Sequence, residues 1–543
     1  MPTLVTPKKM LQAPSPSELP PAFALLLQKQ RELYAKLHSR KNLEPLLQVS
    51  DAVRSVAGFY ERTRNTLEYH DADIVRRIAI ERALKRLVIF GGDLGRAPQG
   101  ERLLKELIRG GYFPNDAIPE SVMHDVTRTL ERFGAMQTLG VSQEDERLAR
   151  SLTATEIEED VLPEERVTED QFAAFAFEVF RDRLPWPEAL LQDPRHTTMI
   201  YLAIWRSIIK ADEPRTIAAV IHQAFPLYRT MSAREARVTL PEVVRAFRAV
   251  RLLLRSPQLS FYRKAIRPYA PSLEALRDAF WHHKNDMSEL SRSPILLEEA
   301  LNQSVQERFE NTRKDLYWSA LRATMYVFLT KMVVALAIEL PLDVLFKSFL
   351  PQTFVINLLG PPFLMAVVAF TAKVPGEKVA VKIVDDAMRI AVETGEFGAP
   401  RRRIVVRTKM RSVVLMAAAV IFIAVAFTAT AKILSVFHFS LLAGITFVFF
   451  VSLVSLFAYR IRRTVRELNI VPVREGFSSI VGDLISFPFL ALGKILSEVL
   501  EGVNVFLFVL DIFIESPLKS LLSFLEDWLS FLREKREEFV GEA

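Results

Sequence analysis

Cysteine is absent from the 543 residues. That excludes disulfides, thiolate metal sites, iron–sulfur clusters and a cysteine nucleophile, and leaves the redox compartment open. A one-sided charge is lacking too, since 70 Lys+Arg stand against 64 Asp+Glu for a net +6. Such a thin surplus is not that of a nucleic-acid binder, and no nucleic-acid partner is expected. Strand-like alternation is nearly missing and no repeat of fixed period recurs, so a multi-helix bundle is favoured over a solenoid and the fold class is all-α.

Catalytic signatures are missing as well. There is no HExxH, GxSxG or kinase-like set. Gly91, Gly92, Asp93 and Gly95 lack the lysine and Ser/Thr of a phosphate loop and follow a helical pattern. His282 and His283 diverge by about 100° on a helix and cannot face one metal together. His70, Asp71 and Asp73 read as helix-start chemistry. No catalytic, cofactor-binding or metal-ligating residue is therefore named, and no cofactor is expected. A signal peptide is not evident either: Lys8 and Lys9 precede only a short apolar stretch, Ala22 to Leu27, so insertion would rely on internal segments.

What the chain does have is long uncharged runs. Ser412 to Ala431 and Ile433 to Tyr459 carry no charged residue and meet at Lys432, with Phe437, His438 and Phe439 as an aromatic girdle. At ~1.5 Å rise per residue each run can cross a ~30 Å hydrocarbon core as a helix. Ser348 to Ala372 is uncharged for 25 residues. Tyr317 to Leu340 is an impure span containing Arg322, Lys331 and Glu339. Four spans are thus expected, 317–340, 348–372, 412–431 and 433–459. The loop 373–411 carries ten bases against five acids, and Arg460, Arg462, Arg463 and Arg466 follow the fourth span. By the positive-inside rule both termini and this loop are cytoplasmic.

Before the spans, residues 1–17 read as a disordered arm with four prolines and 18–316 as a cytoplasmic helical domain. Helices are expected at Glu101 to Arg109, Pro119 to Leu139, Glu169 to Leu184, Thr197 to Lys210 and Glu242 to Leu254, with proline at most joints. Pro294 to Leu316 reads as a helix feeding straight into the first span. Two charge biases stand out. Glu156 to Asp170 packs eight acids into fifteen residues and reads as an exposed loop or linker. Tyr201 to Ala270 carries thirteen bases against four acids, the face best suited to acidic partners or anionic headgroups, or else a solvated helical face.

The tail, 460–543, reads as interfacial and amphipathic helices. Between Gly482 and Glu501 the charges fall within an arc of about 60°. The segment 478–516 either lies in the interface or forms a re-entrant hairpin. Leu518, Leu521, Leu522, Leu525, Trp528, Leu529 and Leu532 form a last apolar stripe.

Candidate intramembrane functional residues are Lys331, Glu339, Gly360, Pro361 and Pro362. A lysine near mid-span costs ~2.5–3.5 kcal/mol on insertion scales and usually faces a bundle interior, a water path or a counter-charge. Glu339, eight residues on, lies about 80° round an α-helix, so a direct pair within the helix is not expected. Snorkelling of Lys331 to an interface is the alternative. Gly360, Pro361 and Pro362 are expected to kink or break the second span, a device transporters use near mid-membrane. Ala417, Ala424 and Ala431, at seven-residue spacing, would admit a close helix neighbour.

Three stretches, Arg76 to Phe90 (RRIAIERALKRLVIF), Leu107 to Glu120 (LIRGGYFPNDAIPE) and Phe524 to Phe539 (FLEDWLSFLREKREEF), resemble helical multi-pass membrane proteins of small-genome uncultivated bacteria that have no known activity. The resemblance implies a bacterial plasma-membrane protein and carries over no functional residue. The reading that follows is a membrane-anchored helical scaffold or docking protein. Its partners are the lipid bilayer and a protein partner or second copy, met through 412–431 and 517–535. An oligomeric channel or transporter using Lys331 and the Gly360 to Pro362 break is the alternative, and a membrane-bound enzyme acting on lipid or envelope precursors is a second.

Overall fold

The computed structural model describes residues 20–40, 45–49, 72–89, 98–137, 142–283, 290, 293–345, 350–371, 376–393, 395, 397, 409–468 and 487–495. The arm 1–17, the glycine set at 91–95, His70 and Asp71, the arginines at 401–407 and the apolar stripe at 518–532 lie outside them. Among the described residues the fold is all-α, with one isolated antiparallel bridge between Leu46 and Pro119.

The helices in chain order are α1 (Pro21–Arg40), α2 (Ala72–Ile89), α3 (Pro98–Arg109), α4 (Ser121–Gln137), α5 (Gln143–Val161), α6 (Pro163–Arg183), α7 (Glu188–Leu191), α8 (His196–Ser207), α9 (Glu213–Ala224), α10 (Ala233–Leu254), α11 (Pro257–Ile266) and α12 (Ala270–His282). They are followed by α13 (Pro294–Val334), a π turn (Ala335–Glu339), α14 (Leu340–Leu345), α15 (Pro351–Thr371), α16 (Glu377–Val392), α17 (Lys409–Val436) and α18 (Leu441–Leu468). Residues 487–495 are also helical.

Local sequence explains many of the starts. Ser142, Asp212, Ser232 and Ser256 each accept a backbone N–H of the helix they open, and Ser232 with Glu235 forms a full capping box. Pro163, Pro214, Pro257 and Pro294 stand in the first turns of their helices, where a missing N–H costs nothing.

Two apolar cores form. The larger runs from Phe23 through Trp205 and Phe280 to Val305, and draws in Val379, Ile383, Ile390 and Phe397 from α16 and the residues after it. Each fully buried Leu, Ile or Phe there contributes roughly 1.5–3 kcal/mol. The smaller core joins Ala320, Val327, Met365, Phe450 and Val454 of α13, α15 and α18. One helix serves both: α13 buries Leu297, Leu301 and Val305 in the first and Val327 and Lys331 near the second, without a break.

Segment 156–170 departs from its expected exposure. It is the end of α5 and the start of α6, and Glu156, Glu158 and Glu159 are buried. Their charges are matched from neighbouring helices, a long-range match that local charge density cannot reveal. Arg132 of α4 bonds Glu156 at 2.8 Å, Arg76 of α2 bonds Glu158 at 3.0 Å, and Arg229 grips both Glu159 and Asp160.

α15 is not broken at Gly360, Pro361 and Pro362: of the expected kink or break, the break does not occur, and the helix runs on through them. Both prolines are buried, and a Cβ on Gly360 would lie 3.0 Å from the Phe447 ring, so the glycine lets α18 approach.

The joint between the last two apolar runs falls at Phe437–Ser440, with α17 passing through Lys432 to Val436. His438 takes a left-handed φ of 55° there, and the N–H of Phe439 bonds back to the Leu434 carbonyl at 3.1 Å. Among the described residues one stretch, Leu441–Tyr459, is long and apolar enough to cross a membrane, while Pro351–Val367 and Val420–Val436 are shorter apolar helices. Ala417, Ala424 and Ala431 are exposed, so among the described residues their stripe is not a packing seam.

Candidate functional site

Proline 341 shapes the site. Lacking an N–H, and with a ring that clashes with the carbonyl four residues back, it cannot continue an α-helix without local adjustment. The backbone widens ahead of it into the π turn Ala335–Glu339, in which the Leu340 N–H bonds back to the Ala335 carbonyl. Eight α-helical steps advance about 80° beyond two full rotations. A π turn, at roughly 80° per residue, removes that excess and returns Glu339 to the face of Lys331.

The expected separation of these two residues is therefore overturned. The Lys331 Nζ donates to Glu339 Oε1 at 2.6 Å, and the two side chains are 0% and 1% exposed. Snorkelling is excluded by the same burial, because the ammonium ends among protein atoms.

Three further residues complete the cluster. Lys331 also donates to Thr446 Oγ1 of α18 at 3.2 Å, and that hydroxyl passes its own proton to the Ala443 carbonyl at 3.1 Å. The Asn357 Nδ2 of α15 donates to the second oxygen, Glu339 Oε2, at 2.7 Å. The Lys331 ammonium lies 5.1 Å from the centre of the Phe450 ring. Asn357 Oδ1 is buried with no hydrogen-bond partner among the described residues.

In chemical terms this is a neutral salt bridge shared by three helices. The charges cancel locally, and each carboxylate oxygen has a donor. Its acceptor-rich side ends in one unmet amide oxygen, which would accept a hydrogen bond from a water or another donor. Of the residues singled out from sequence, Lys331 and Glu339 are brought together. Gly360, Pro361 and Pro362 lie along α15 from Asn357, the glycine against the Phe447 ring and the two prolines buried. Asn357, Thr446 and Phe450 were missed. The signal for Asn357 was present, an amide near the centre of an uncharged run whose one other amide is Gln352 toward its start, whereas Thr446 and Phe450 look like ordinary members of theirs.

The bundle holds a second polar cluster. Arg132 donates to Glu156, to Thr129 Oγ1 at 2.8 Å and to the Arg229 carbonyl at 2.7 Å. The His222 ring approaches Glu156 at 3.4 Å and Glu159 at 3.7 Å. Burial alone would raise the Glu156 carboxyl, but Arg132, His222 and Arg229 together hold it down at about 2. All these charges are committed to one another, which suits a structural junction. Among the described residues no group of three His, Cys, Asp or Glu is arranged to hold a metal.

Comparison with protein-family models, curated proteins and solved structures returns no match.

Proposed function

We propose that the chain is a membrane-anchored helical scaffold, whose bundle is held rigidly at the membrane surface to dock a partner. The observation that carries the reading is α13. A single helix of 41 residues is a core element of the bundle at one end and of the Lys331 cluster at the other. Such a strut transmits position without a hinge.

Polarity supports the membrane part. Lys331 and Glu339 are inside, while Trp318, Met325 and Leu329 of α13, Phe363 and Val367 of α15, and Ile421 and Val425 of α17 point outward; Arg322, one turn beyond Trp318, is exposed and donates back to the Trp318 carbonyl at 3.3 Å. Water would penalise that exterior and lipid would not. On this reading α13, α15, α17 and α18 all cross the bilayer of a bacterial plasma membrane, with the bundle and both termini cytoplasmic. The absence of native cysteine makes the test clean. Single cysteines at Phe437 and at Ser232 would be probed with an impermeant maleimide in intact and opened cells. Labelling at Phe437 in intact cells, with Ser232 labelled only after opening, is expected; equal labelling of both in intact cells, or neither until opening, counts against the topology.

The rival reading, an oligomeric channel or transporter, is favoured by one specific observation, the unmet Asn357 Oδ1 beside the Lys331–Glu339 pair. Ion flux in proteoliposomes that falls when Lys331→Met is incorporated at equal density would promote it over the scaffold.

A further inference from the structure

The seam between α2 and α5 changes character along its length. The two helices pack antiparallel: Arg76 bonds Glu158 at 3.0 Å, and further along α2 Glu81 accepts the Ser151 hydroxyl at 2.5 Å. Those contacts close the seam. Beyond them it opens into a cleft of about 600 Å³, a volume that suits a small-molecule ligand. One face of each helix forms its walls, with residues 78, 81, 82 and 85 from α2 and 143, 146, 147 and 150 from α5. Both sets keep the three- and four-residue spacing that lines side chains up on a helix.

Four cations line this space, Arg82 and Lys85 from α2 and Arg147 and Arg150 from α5, against the carboxylates of Glu81 and Glu146. The lining therefore carries a net +2. Glu81 is already engaged by Ser151, with Arg77 at 3.8 Å, and Glu146 lies 3.9 Å from Arg150. Arg82 is fixed in its wall by a 2.9 Å hydrogen bond to the Tyr112 hydroxyl. Like charges on opposite walls repel, which favours an open cleft over one closed by its own side chains. Between the charged heads, Ile78 and the methylene stems of the arginines and the lysine supply apolar surface.

We propose that the cleft between α2 and α5 binds a small organic phosphate, its phosphoryl group held among Arg82, Lys85, Arg147 and Arg150 and its body laid against their stems. Guanidinium forks match the oxygens of a phosphate, and a monoester near full ionisation neutralises the lining charge. A bare phosphate ion would leave most of the volume to water. The site is separate from the Lys331 cluster and does not depend on the scaffold reading.

The test uses the full chain in neutral detergent, titrated separately with phenyl phosphate, with orthophosphate and with succinate, a dianion that has no phosphoryl group. Saturable, salt-sensitive binding of phenyl phosphate is expected, tighter than that of either control. Arg147→Gln and Arg150→Gln should each weaken it roughly tenfold. Glu146→Gln takes a negative charge out of the wall and should tighten it severalfold, a gain that a purely structural role would not produce. Arg245→Gln, on the exposed side of α10, should leave it unchanged. Should Arg150→Gln fail to fold, Arg147→Gln reads the same wall from an exposed position. The proposal is overturned if phenyl phosphate does not bind the native chain, if orthophosphate or succinate binds as tightly, or if binding is the same in the native chain and in folded Arg147→Gln.

Discussion

Lys331 and Glu339, eight residues apart in one helix, meet at 2.6 Å with both side chains buried. The π turn before Pro341 makes that pairing geometrically allowed, and Asn357 and Thr446 hold it from two other helices. In a low-dielectric setting the pair is worth little against a pair of apolar residues, yet either half alone is an uncompensated charge.

Lys331→Met should therefore destabilise the protein by about 3–5 kcal/mol, while the double variant Lys331→Met/Glu339→Leu should recover most of the loss. Unfolding in detergent, followed for both singles and the double, measures the coupling. Additive losses would show that the two residues act independently.

Two glycines should respond differently to the same substitution. A Cβ on Gly493 would lie 2.5 Å from the Ser452 carbonyl oxygen, which belongs to the backbone of α18 and cannot yield. Gly493→Ala should cost about 1–3 kcal/mol and loosen the 487–495 helix from α18. Gly360→Ala meets the edge of the Phe447 ring, which can turn aside, so its cost should be smaller. Thermal unfolding of the two variants side by side decides the order.

Acid sensitivity should trace to Glu156. Its carboxyl sits at about 2 in the folded chain against an ordinary 4.5. A depressed carboxylate contributes stability that is present above its unfolded value and is lost as pH falls from 4.5 toward 2. The difference corresponds to roughly 3 kcal/mol. Glu156→Gln should lower stability at neutral pH and flatten this part of the acid profile; an unchanged slope would refute the assignment.

Arg183 should hold α16 to the bundle. Its guanidinium donates to the carbonyls of Arg389, Ile390 and Gly395 at 3.0, 3.2 and 2.9 Å, and lies 4.3 Å from the Phe397 ring centre. It thus satisfies carbonyls that the end of α16 leaves without helical partners. Arg183→Lys keeps the charge but not the fork, and should speed amide exchange in 377–392 severalfold while sparing α8. Uniform protection across both helices would count against this role.

Sequence by itself determined the helical class, the places where apolar runs lie and the continuity of Pro294 to Leu316 into the next segment. These rest on local spacing, capping and composition, which neighbouring residues carry together. It also picked out Lys331, because a charge inside an apolar run is visible without any fold. Tertiary structure alone decided the rest. Glu156, Glu158 and Glu159 became buried because their partners Arg132, Arg76 and Arg229 arrive from distant helices. The Gly360 to Pro362 stretch stayed helical, with Phe447 closing on the glycine. Glu339 became the partner of Lys331 because one widened turn shifted its phase, a change that regular 3.6-residue counting cannot anticipate.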